Sequence, residues 1–463
     1  MDNKKKLAAL AVSASLVVLA GCGGGGDGGG TNPAQQQSSA GGGVDFKAAA
    51  TGTLRTGGFS PTDEVGTSRR DHAAAQVKDV KIDIQQGNFD PQKFAAQAAA
   101  GQVPDVVQMD RNFVATYAAK KLIMPLDKCY SDNGVDAAAH YYKTAMDDVT
   151  YKGQPYAVPQ FYQPPVVLLN TRVMDKAGVT KADLDTSKPD QLLEAVKKMY
   201  KESKGLPSTL GMDPRGGLVS SWMIGYGGKL VDADGKPALD DPNNVKAFEF
   251  LKKVYDAQGG YEDVTSFVNS FDAFGDANPF VKDQVGAQLI EQWYINVLTG
   301  TADEIKLSGV PFKAMDGQPL AVAGGTSFVI PTKSKNPAAA CQWALALTSD
   351  EAWDKAAKAR LDTIKKKPGS LFTGLFTGSI TADKLIKDTY VKPTGNKGFD
   401  EAIAATYEVV TKGKSIGASP AGLQIQTELT NAAAAAMTGS KTPDQALKDA
   451  QTAALRAFDA ANQ

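Results

Sequence analysis

Residues 151–171, YKGQPYAVPQFYQPPVVLLNT, contain two short apolar runs on either side of a polar and aromatic bridge. The runs, 156–158 and 166–169, have the length and composition of buried strands. Proline cannot donate a backbone hydrogen bond to a sheet, so Pro159 and the Pro164-Pro165 pair should end regular pairing. We interpret the bridge as a crossover between two α/β lobes, although an ordinary strand–loop–strand within one domain also fits. The side chains expected to face the cleft between the lobes are Gln160, Phe161 and Tyr162.

Four segments in order along the chain, one of which surrounds the bridge, carry a resemblance to one protein family. They are AAQAAAGQVPDVVQMD at 95–110, KGQPYAVPQF with VVLLNTRVMDKAGV around the bridge, QVGAQLIEQWYINV at 284–297 and LAVAGGTSFVIPTKSK at 320–335. On these residues the chain resembles the family 1 extracellular solute-binding proteins. These are the substrate-capturing lipoproteins of sugar ABC importers, and maltose-binding protein is a relative. The resemblance extends from about residue 51 to the C-terminus.

The resemblance implies the fold and its division into lobes. It implies an α/β, two-lobe, periplasmic-binding-protein-like fold of type II, with mixed, mostly parallel sheets flanked by helices and a ligand cleft between the lobes. Lobe 1 would comprise residues 51–159 plus 322–368, and lobe 2 residues 160–321 plus 369–463. A third crossing between the lobes is expected near residues 365–372.

The N-terminus has the pattern of a targeting segment. Three lysines at 4–6 precede an apolar run at 7–19, which is too short to span a bilayer, and LAGC at 19–22 matches a lipobox. We therefore expect a signal peptide at 1–21 and a lipid on Cys22, although a plain secretory signal with a chance cysteine has the same pattern. Residues 22–50 are rich in glycine and should form a flexible tether. The protein would then be anchored at the outer face of the cell membrane or in the periplasm.

Apart from Cys22 the chain has two cysteines, Cys129 and Cys341, and an exported protein is expected in an oxidising environment. A disulfide between them would join segments that the family places in one lobe, and two separate buried thiols are the alternative.

Candidate ligand-binding residues of lobe 1 follow predicted strands. A first strand at 51–59 ends before a helix start at Ser60-Pro61, which makes Phe59 and Asp63 candidates, since open α/β sheets bind ligands at this edge. Asp63 would equally well stabilise the helix dipole. Asp110 ends the strand at 104–110, where the resemblance implies hydrogen bonds to ligand hydroxyls, although Arg111 beside it is an alternative partner.

The remaining candidates come from lobe 2 and the second crossing. The resemblance places Trp293 where an indole stacks on a sugar ring. Glu291, two residues before it, is a candidate hydroxyl partner from its position alone, because the family more often has Gly-Ser or Gly-Pro beside this tryptophan. Trp222 contacts ligand if its helix opens onto the cleft, and a core position is the alternative for both tryptophans. Gly325 would allow close backbone approach, and Thr326 would offer N–H or OH groups.

Net charge and motifs limit the function. Lys plus Arg total 50 against 51 acids, giving a net charge of −1 and no basic footprint for nucleic acid. No metal-ligand spacing or catalytic motif stands out, so we expect no enzyme, cofactor or metal. The function implied is capture of a carbohydrate, probably an oligosaccharide, by a monomer that closes at its hinge and delivers the ligand to an ABC permease. Alternatives are a polyamine, peptide or metal-chelate binder, a ligand sensor, or a lipid-anchored glycoside hydrolase.

Overall fold

The computed structural model describes residues 43–214, 218–367 and 369–463. The expected signal peptide at 1–21, the lipid on Cys22 and the tether up to residue 42 lie outside the described residues. No helix in the described ranges combines the length and the apolar character that crossing a bilayer requires.

Helices and strands alternate along most of the chain. The strands are β1 Gly52–Gly57, β2 Val80–Ile84, β3 Val106–Asp110, β4 Thr150–Tyr151, β5 Gln154–Pro155, β6 Val158–Pro159, β7 Pro165–Asn170, β8 Lys201–Ser203, β9 Leu206–Asp213, β10 Val285–Glu291, β11 Leu307–Val310 and β12 Thr326–Val329. The first nine α-helices are α1 Glu64–Gln76, α2 Pro91–Ala100, α3 Arg111–Ala119, α4 Asp127–Asp132, α5 Ala137–His140, α6 Lys143–Val149, α7 Thr171–Ala177, α8 Pro189–Met199 and α9 Val219–Gly225. The others are α10 Pro242–Asp256, α11 Tyr261–Asn269, α12 Trp293–Leu298, α13 Pro337–Leu347, α14 Asp350–Lys366, α15 Ile380–Tyr390, α16 Lys397–Val409, α17 Gly422–Met437 and α18 Pro443–Ala461. Short 3₁₀ helices cover Lys181–Leu184 and Thr299–Thr301.

Two five-stranded sheets organise these elements into two lobes. The first sheet has the order β2-β1-β3-β12-β6 and the second the order β11-β7-β10-β9-β8, while β4 and β5 form a separate hairpin. The chain changes sheet between β6 and β7, across the bridge at 160–164, and returns between β11 and β12. The bridge is therefore a crossover between two sheets, and a strand–loop–strand within a single sheet is excluded.

The sheets are mixed, and fewer pairings are parallel than we expected. In the first sheet β1 runs parallel to β2 and β3, but β12 runs antiparallel to both β3 and β6. In the second sheet only β9 and β10 are parallel. The reason is the path of the chain: a strand that enters a sheet from a crossing arrives from the cleft side and so runs against its neighbour.

Local sequence explains where several elements begin and end. In α2, the Asp90 side chain accepts hydrogen bonds from the backbone N–H groups of Gln92 and Lys93, and Pro91 occupies the first helical position. Gly101 ends the helix in the left-handed conformation, at φ 68°. β7, PVVLLN, is buried along its whole length between β11 and β10, as a continuous apolar run predicts for a central strand.

Three expected boundaries need correction. The tether cannot extend to residue 50, because Phe46 is fully buried in the core of the first lobe and Gln342 donates a hydrogen bond to its carbonyl. α1 begins at Glu64 with Asp63 as its cap, not at Ser60-Pro61, because the Asp63 carboxylate reaches the N–H of Gly66 at 2.7 Å. The end of lobe 1 at residue 368 falls too early. Helix α15 packs on α14, and its side chains share an apolar cluster with Trp353, so the first helix after residue 368 that packs on the second sheet is α16.

Cys129 on α4 and Cys341 on α13 are joined by a disulfide in the structure, with an S–S distance of 2.01 Å. The bond lies in the core of the first lobe, where both residues are fully buried. It connects the two parts of the first lobe that the excursion into the second sheet separates in sequence.

Candidate functional site: a cavity between the two sheets

A cavity of about 340 Å³ lies where elements of both sheets meet. The first sheet contributes the end of β3 and the start of β12, and the second contributes the end of β10. Helices α9 and α17 and the segment before α17 complete the wall. The lining residues are Asp110, Arg111, Asn112, Asp148, Gln163, Leu218, Ser220, Glu291, Val322, Ala323, Gly324, Gly325, Thr326, Lys414, Ile416 and Gln426.

Arg111 organises the crossings beside this cavity. Its Nε donates to the Asp148 carboxylate at 3.1 Å, and its Nη2 donates to the carbonyls of Ala323 and Gly324 at 2.7 and 3.1 Å. Its Nη1 donates to the carbonyl of Phe161. One buried guanidinium thus holds the first and second crossings together, and little of its donor capacity is left for a ligand.

Asp148 extends this network to a third segment. The hydroxyl of Ser415, in the loop before α17, donates a hydrogen bond to the second oxygen of its carboxylate. Burial raises the pKa of Asp148, while Arg111 and Ser415 act in the opposite direction. Removing Arg111 would leave this carboxylate buried without its counter-charge.

Asp110 and Glu291 bring a carboxylate to the cavity from each sheet. Asp110 is the cap residue of α3 by position, but its side chain makes no capping hydrogen bond to the helix. Asp110 reaches solvent, but the protein around its carboxylate removes part of its hydration and so raises its pKa, while the neighbouring Arg111 lowers it. Burial also raises the pKa of Glu291, and the charge of Asp110 adds to that rise, whereas a hydrogen bond from Trp293 lowers it. Two acceptor-only groups therefore face the same space.

The cavity wall also carries an unused acceptor. Within the described ranges, the Asn112 Oδ1 atom is buried and has no hydrogen-bond partner. A buried polar atom without a partner is costly, so this oxygen is placed to accept from a ligand hydroxyl or a bound water.

Trp293 lies next to the cavity without lining it. Its indole Nε1 donates to the Glu291 Oε2 at 2.7 Å, and the half-buried ring packs against buried apolar side chains of β10, α12 and α16. The indole therefore fixes the orientation of a cavity carboxylate. Gly325 and Thr326 do line the cavity, and the Thr326 hydroxyl donates to the Gln160 Oε1 at 3.2 Å.

The bridge residues support the crossing instead of facing the cavity, which corrects our expectation. Gln160 is 1% exposed and Tyr162 is 1% exposed, with the Tyr162 ring stacked on Tyr142 at a centroid distance of 4.7 Å. Phe161 packs edge-on against Trp353 at 5.4 Å. The next residue, Gln163, is the one that lines the cavity. Gln163 is not among the residues expected from the sequence, because the aromatic residues before it are the stronger signal of a sugar site.

Three other candidates also have structural roles in this arrangement. Phe59 is 3% exposed and packs edge-on against Phe328 and Trp343. Trp222 is 3% exposed and packs against Phe250 and Phe312, so the core alternative holds for it. Asp63 caps α1 and forms an ion pair with Arg360 at 3.3 Å, so both of its oxygens are engaged.

Sequence reasoning missed several wall residues for a clear reason. Asp148, Ser220, Lys414 and Gln426 stand in no motif, and each reaches the cavity from a different helix or loop. Polar residues on amphipathic helices are ordinarily solvated, so their types alone give no signal. The sequence indicated Arg111 only as a possible partner of Asp110 and gave no signal of its bonds to the crossing segments. Within the described ranges no cluster of histidine, cysteine and carboxylate side chains has the geometry of a metal site.

A sequence model of the bacterial extracellular solute-binding protein family matches residues 71–364, which is well over half of the 463 residues. The chain belongs to this family. The solute-binding protein therefore acts outside the cytoplasm, and its family consists of binding proteins. No curated protein matches it.

Solved structures of solute-binding proteins share the fold of this protein. CpMnBP1 with mannobiose bound is 22% identical, with a TM-score of 0.70 over 87% of this chain and 100% of that one. An ABC substrate-binding protein from Listeria monocytogenes in complex with cycloalternan is 18% identical, with a TM-score of 0.68 over 88% and 99% of the two chains. A solute-binding protein from Thermotoga lettingae TMO bound with α-D-tagatose is 20% identical, with a TM-score of 0.65 over 88% and 99%. At these identities the likeness establishes the two-lobe fold.

Proposed function

We propose that this protein captures a carbohydrate in the cavity between its lobes and delivers it to an ABC permease. The observation that carries the proposal is the pair of carboxylates, Asp110 and Glu291, that reach one cavity from the two sheets. A carboxylate accepts hydrogen bonds and donates none, so a ligand that satisfies both must be rich in donors. A sugar with several hydroxyl groups meets this need and bridges the two lobes.

The charges around the cavity favour a neutral ligand over an anion. Arg111 is engaged by Asp148 and by three backbone carbonyls, which leaves Lys414 as the cation on the wall that could meet a ligand anion. Lys414 is exposed and shares the cavity wall with the carboxylates of Asp110 and Glu291. An anionic ligand would meet repulsion that a saccharide does not.

The ligands of structurally similar proteins support the same class. The solved relatives hold mannobiose, mannotriose, cycloalternan and tagatose, and each shares the two-lobe fold. Ligand contacts on both lobes would favour a closed arrangement over an open one, which is how binding energy becomes a conformational signal to a permease. We further propose that the protein is held at the membrane surface by a lipid on Cys22 and works as a monomer.

The test is a saccharide screen followed by calorimetry. The purified protein is screened by thermal shift against manno- and malto-saccharides of one to six units, with spermidine and a tripeptide as non-sugar ligands, because a ligand that binds only the folded form raises the melting temperature. We expect a saccharide to bind stoichiometrically without being consumed. Tight binding of spermidine or the peptide with no response to any sugar would overturn the proposal, and release of shorter sugars over time would indicate a hydrolase.

Two matched variants then test the carboxylates. Asp110→Asn and Glu291→Gln each replace an acceptor-only group by an amide of the same shape. We expect each to weaken binding of the sugar by about 10- to 100-fold, the range for a lost hydrogen bond to a charged group. Glu249→Gln, an exposed acid on α10, serves as the control and should leave the affinity unchanged.

A further inference from the structure

Phe274 is the most exposed large apolar side chain in the described part of the protein. Its relative exposure is 74%, against 57% for Leu206 and 41% for Ile380. A phenyl ring held in water loses the stabilisation that burial would give it. Single exposed apolar side chains are common on protein surfaces, so what matters for Phe274 is which residues its ring contacts.

The turn that carries Phe274 is held in place on both sides. The Asp272 side chain accepts from the N–H of Ala277, and the N–H of Gly275 bonds back to the Asp272 carbonyl. The buried Asn278 donates to the Thr301 hydroxyl at 2.9 Å and accepts from the N–H of Phe280. These bonds fix the loop between α11 and β10, so the exposure of Phe274 is a property of an ordered turn.

The exposed ring is continuous with the cavity. Phe274 stacks on Trp293 with ring centroids 6.0 Å apart and an angle of 8° between the planes, which is the offset parallel arrangement that aromatic pairs favour. Trp293 in turn donates to Glu291, which lines the cavity. A line of contacts thus runs from the cavity through a carboxylate and an indole to a phenyl ring in solvent.

We propose that Phe274 and Trp293 together form an aromatic platform at the rim of the cavity, on which an oligosaccharide lays a sugar ring beyond the one held by Asp110 and Glu291. The inference rests on the proposed function and adds to it, because it assigns Phe274 as the residue that sets the preferred chain length. The two rings are parallel to within 8°, and their stacking together with the hydrogen-bonded turn preorganises the exposed Phe274 ring. A preorganised aromatic ring matches the C–H face of a pyranose, and a short ligand confined to the cavity does not reach it.

The test measures affinity against chain length. Wild type, Phe274→Ala, Phe274→Leu and Phe274→Trp are titrated by calorimetry with the saccharide series, manno or malto, that binds wild type, from one unit to six. We expect Phe274→Ala to lose about three- to tenfold in affinity for the longer members, the size of one aromatic stacking contact, and to bind the shortest binding member as wild type does. Phe274→Leu should resemble Phe274→Ala, because leucine is apolar but not flat, and Phe274→Trp should keep the preference for longer chains.

The control and the contrary outcomes separate this inference from the function itself. Leu206→Ala, which removes an exposed apolar side chain at the first residue of β9, should leave every affinity unchanged. If Phe274→Ala alters no affinity, or alters all chain lengths equally, the platform is disproved while sugar binding stands. A variant that binds every sugar normally but fails in reconstituted transport would make Phe274 a permease contact and overturn the inference. If wild type binds no saccharide, both proposals fail together.

Discussion

Arg111 shows how one side chain can hold two crossing segments together. The crossings approach each other through backbone carbonyls, which repel one another unless a donor lies between them. The guanidinium supplies that donor to three carbonyls and places its charge beside Asp148. A lysine has the charge but not the planar fork, so it could not reproduce this pattern of bonds.

Gly325 makes this close approach possible at the residue scale. Its φ is 143°, outside the range that L side chains adopt, and a Cβ there would collide with the carbonyl of Phe161 and the guanidinium of Arg111. We expect Gly325→Ala to lower the free energy of unfolding by about 3 kcal/mol or more, from backbone strain and displacement of the crossing. Chemical denaturation followed by circular dichroism measures this.

The comparison needs a glycine with no such constraint. Gly300, in the short 3₁₀ helix at 299–301, has room for a Cβ and an ordinary φ. Gly300→Ala should therefore unfold within about 0.5 kcal/mol of wild type, the usual range for a tolerated surface substitution. A Gly325→Ala protein as stable as the Gly300→Ala protein would show that the crossing does not depend on this glycine.

At the scale of elements, α15 is joined to the first crossing through a buried acid. Asp383 accepts from the Tyr142 hydroxyl at 2.9 Å and from the N–H of Thr377 at 2.8 Å, and Thr377 pairs with Phe161. Burial raises the pKa of Asp383 to about 8. The carboxyl is therefore protonated in the folded protein at neutral pH.

This proton makes stability depend on pH. An unfolded chain would release it near pH 3.8, so between about pH 4 and 8 the folded state binds the extra proton. The contribution to stability is then complete below about pH 4 and is lost as the pH rises towards 8, with a slope of at most about 1.4 kcal/mol per pH unit. We expect Asp383→Asn, which mimics the protonated acid, to remove this slope in urea denaturation measured from pH 5 to 8.

An exposed acid on the same helix gives the matched control. Asp388 forms a surface ion pair with Lys384 at 2.6 Å. Asp388→Asn should keep the pH dependence of wild type. If Asp383→Asn also keeps it, the buried carboxyl is ionised in the folded protein and our assignment of its protonation is incorrect.

At the scale of the whole molecule, the disulfide closes a loop that contains the entire second sheet. Cys129 and Cys341 are 212 residues apart in sequence. On the chain-entropy argument, a cross-link over such a loop stabilises the folded state by about 5 kcal/mol, mainly by restricting the unfolded chain. We expect Cys129→Ser with Cys341→Ser to lower the melting temperature strongly and the affinity for sugar little, because the bond lies in the core of the first lobe.

Thermal unfolding with and without reductant separates the stability that the disulfide bond contributes from the stability that packing of the two sulfur atoms contributes. Wild type with reductant should unfold at a lower temperature than without it, and the double variant should not respond to reductant. A wild-type protein whose unfolding ignores a strong reductant, applied under partly denaturing conditions, would contradict a stabilising role for the bond.

Much of the fold was predictable because its signals are local. The prolines around the bridge and the apolar run of β7 act on their immediate neighbours, so the sequence alone located the crossover. The signals that bound α2, the cap at Asp90 and the stop at Gly101, are equally local. The segments that resemble the family occur in the family's order, and this resemblance predicted the two-lobe fold. The start of α1 was misplaced because two plausible caps, Ser60 and Asp63, lie three residues apart, and only the contact with Gly66 distinguishes them.

The sequence by itself determined the class of the protein, its two sheets and the acidic residues at the ends of β3 and β10. Only the tertiary structure decided which aromatic rings are core and which are accessible. Phe59, Tyr162 and Trp222 have the same local patterns as a cleft aromatic, yet each is covered by rings or helices distant in sequence. Burial is set by such long-range contacts, whereas strands, caps and breakers are set by neighbours along the chain. Phe274 shows the opposite case. No local sequence signal predicts that its ring is accessible, and its exposure beside Trp293 is visible only in the folded chain.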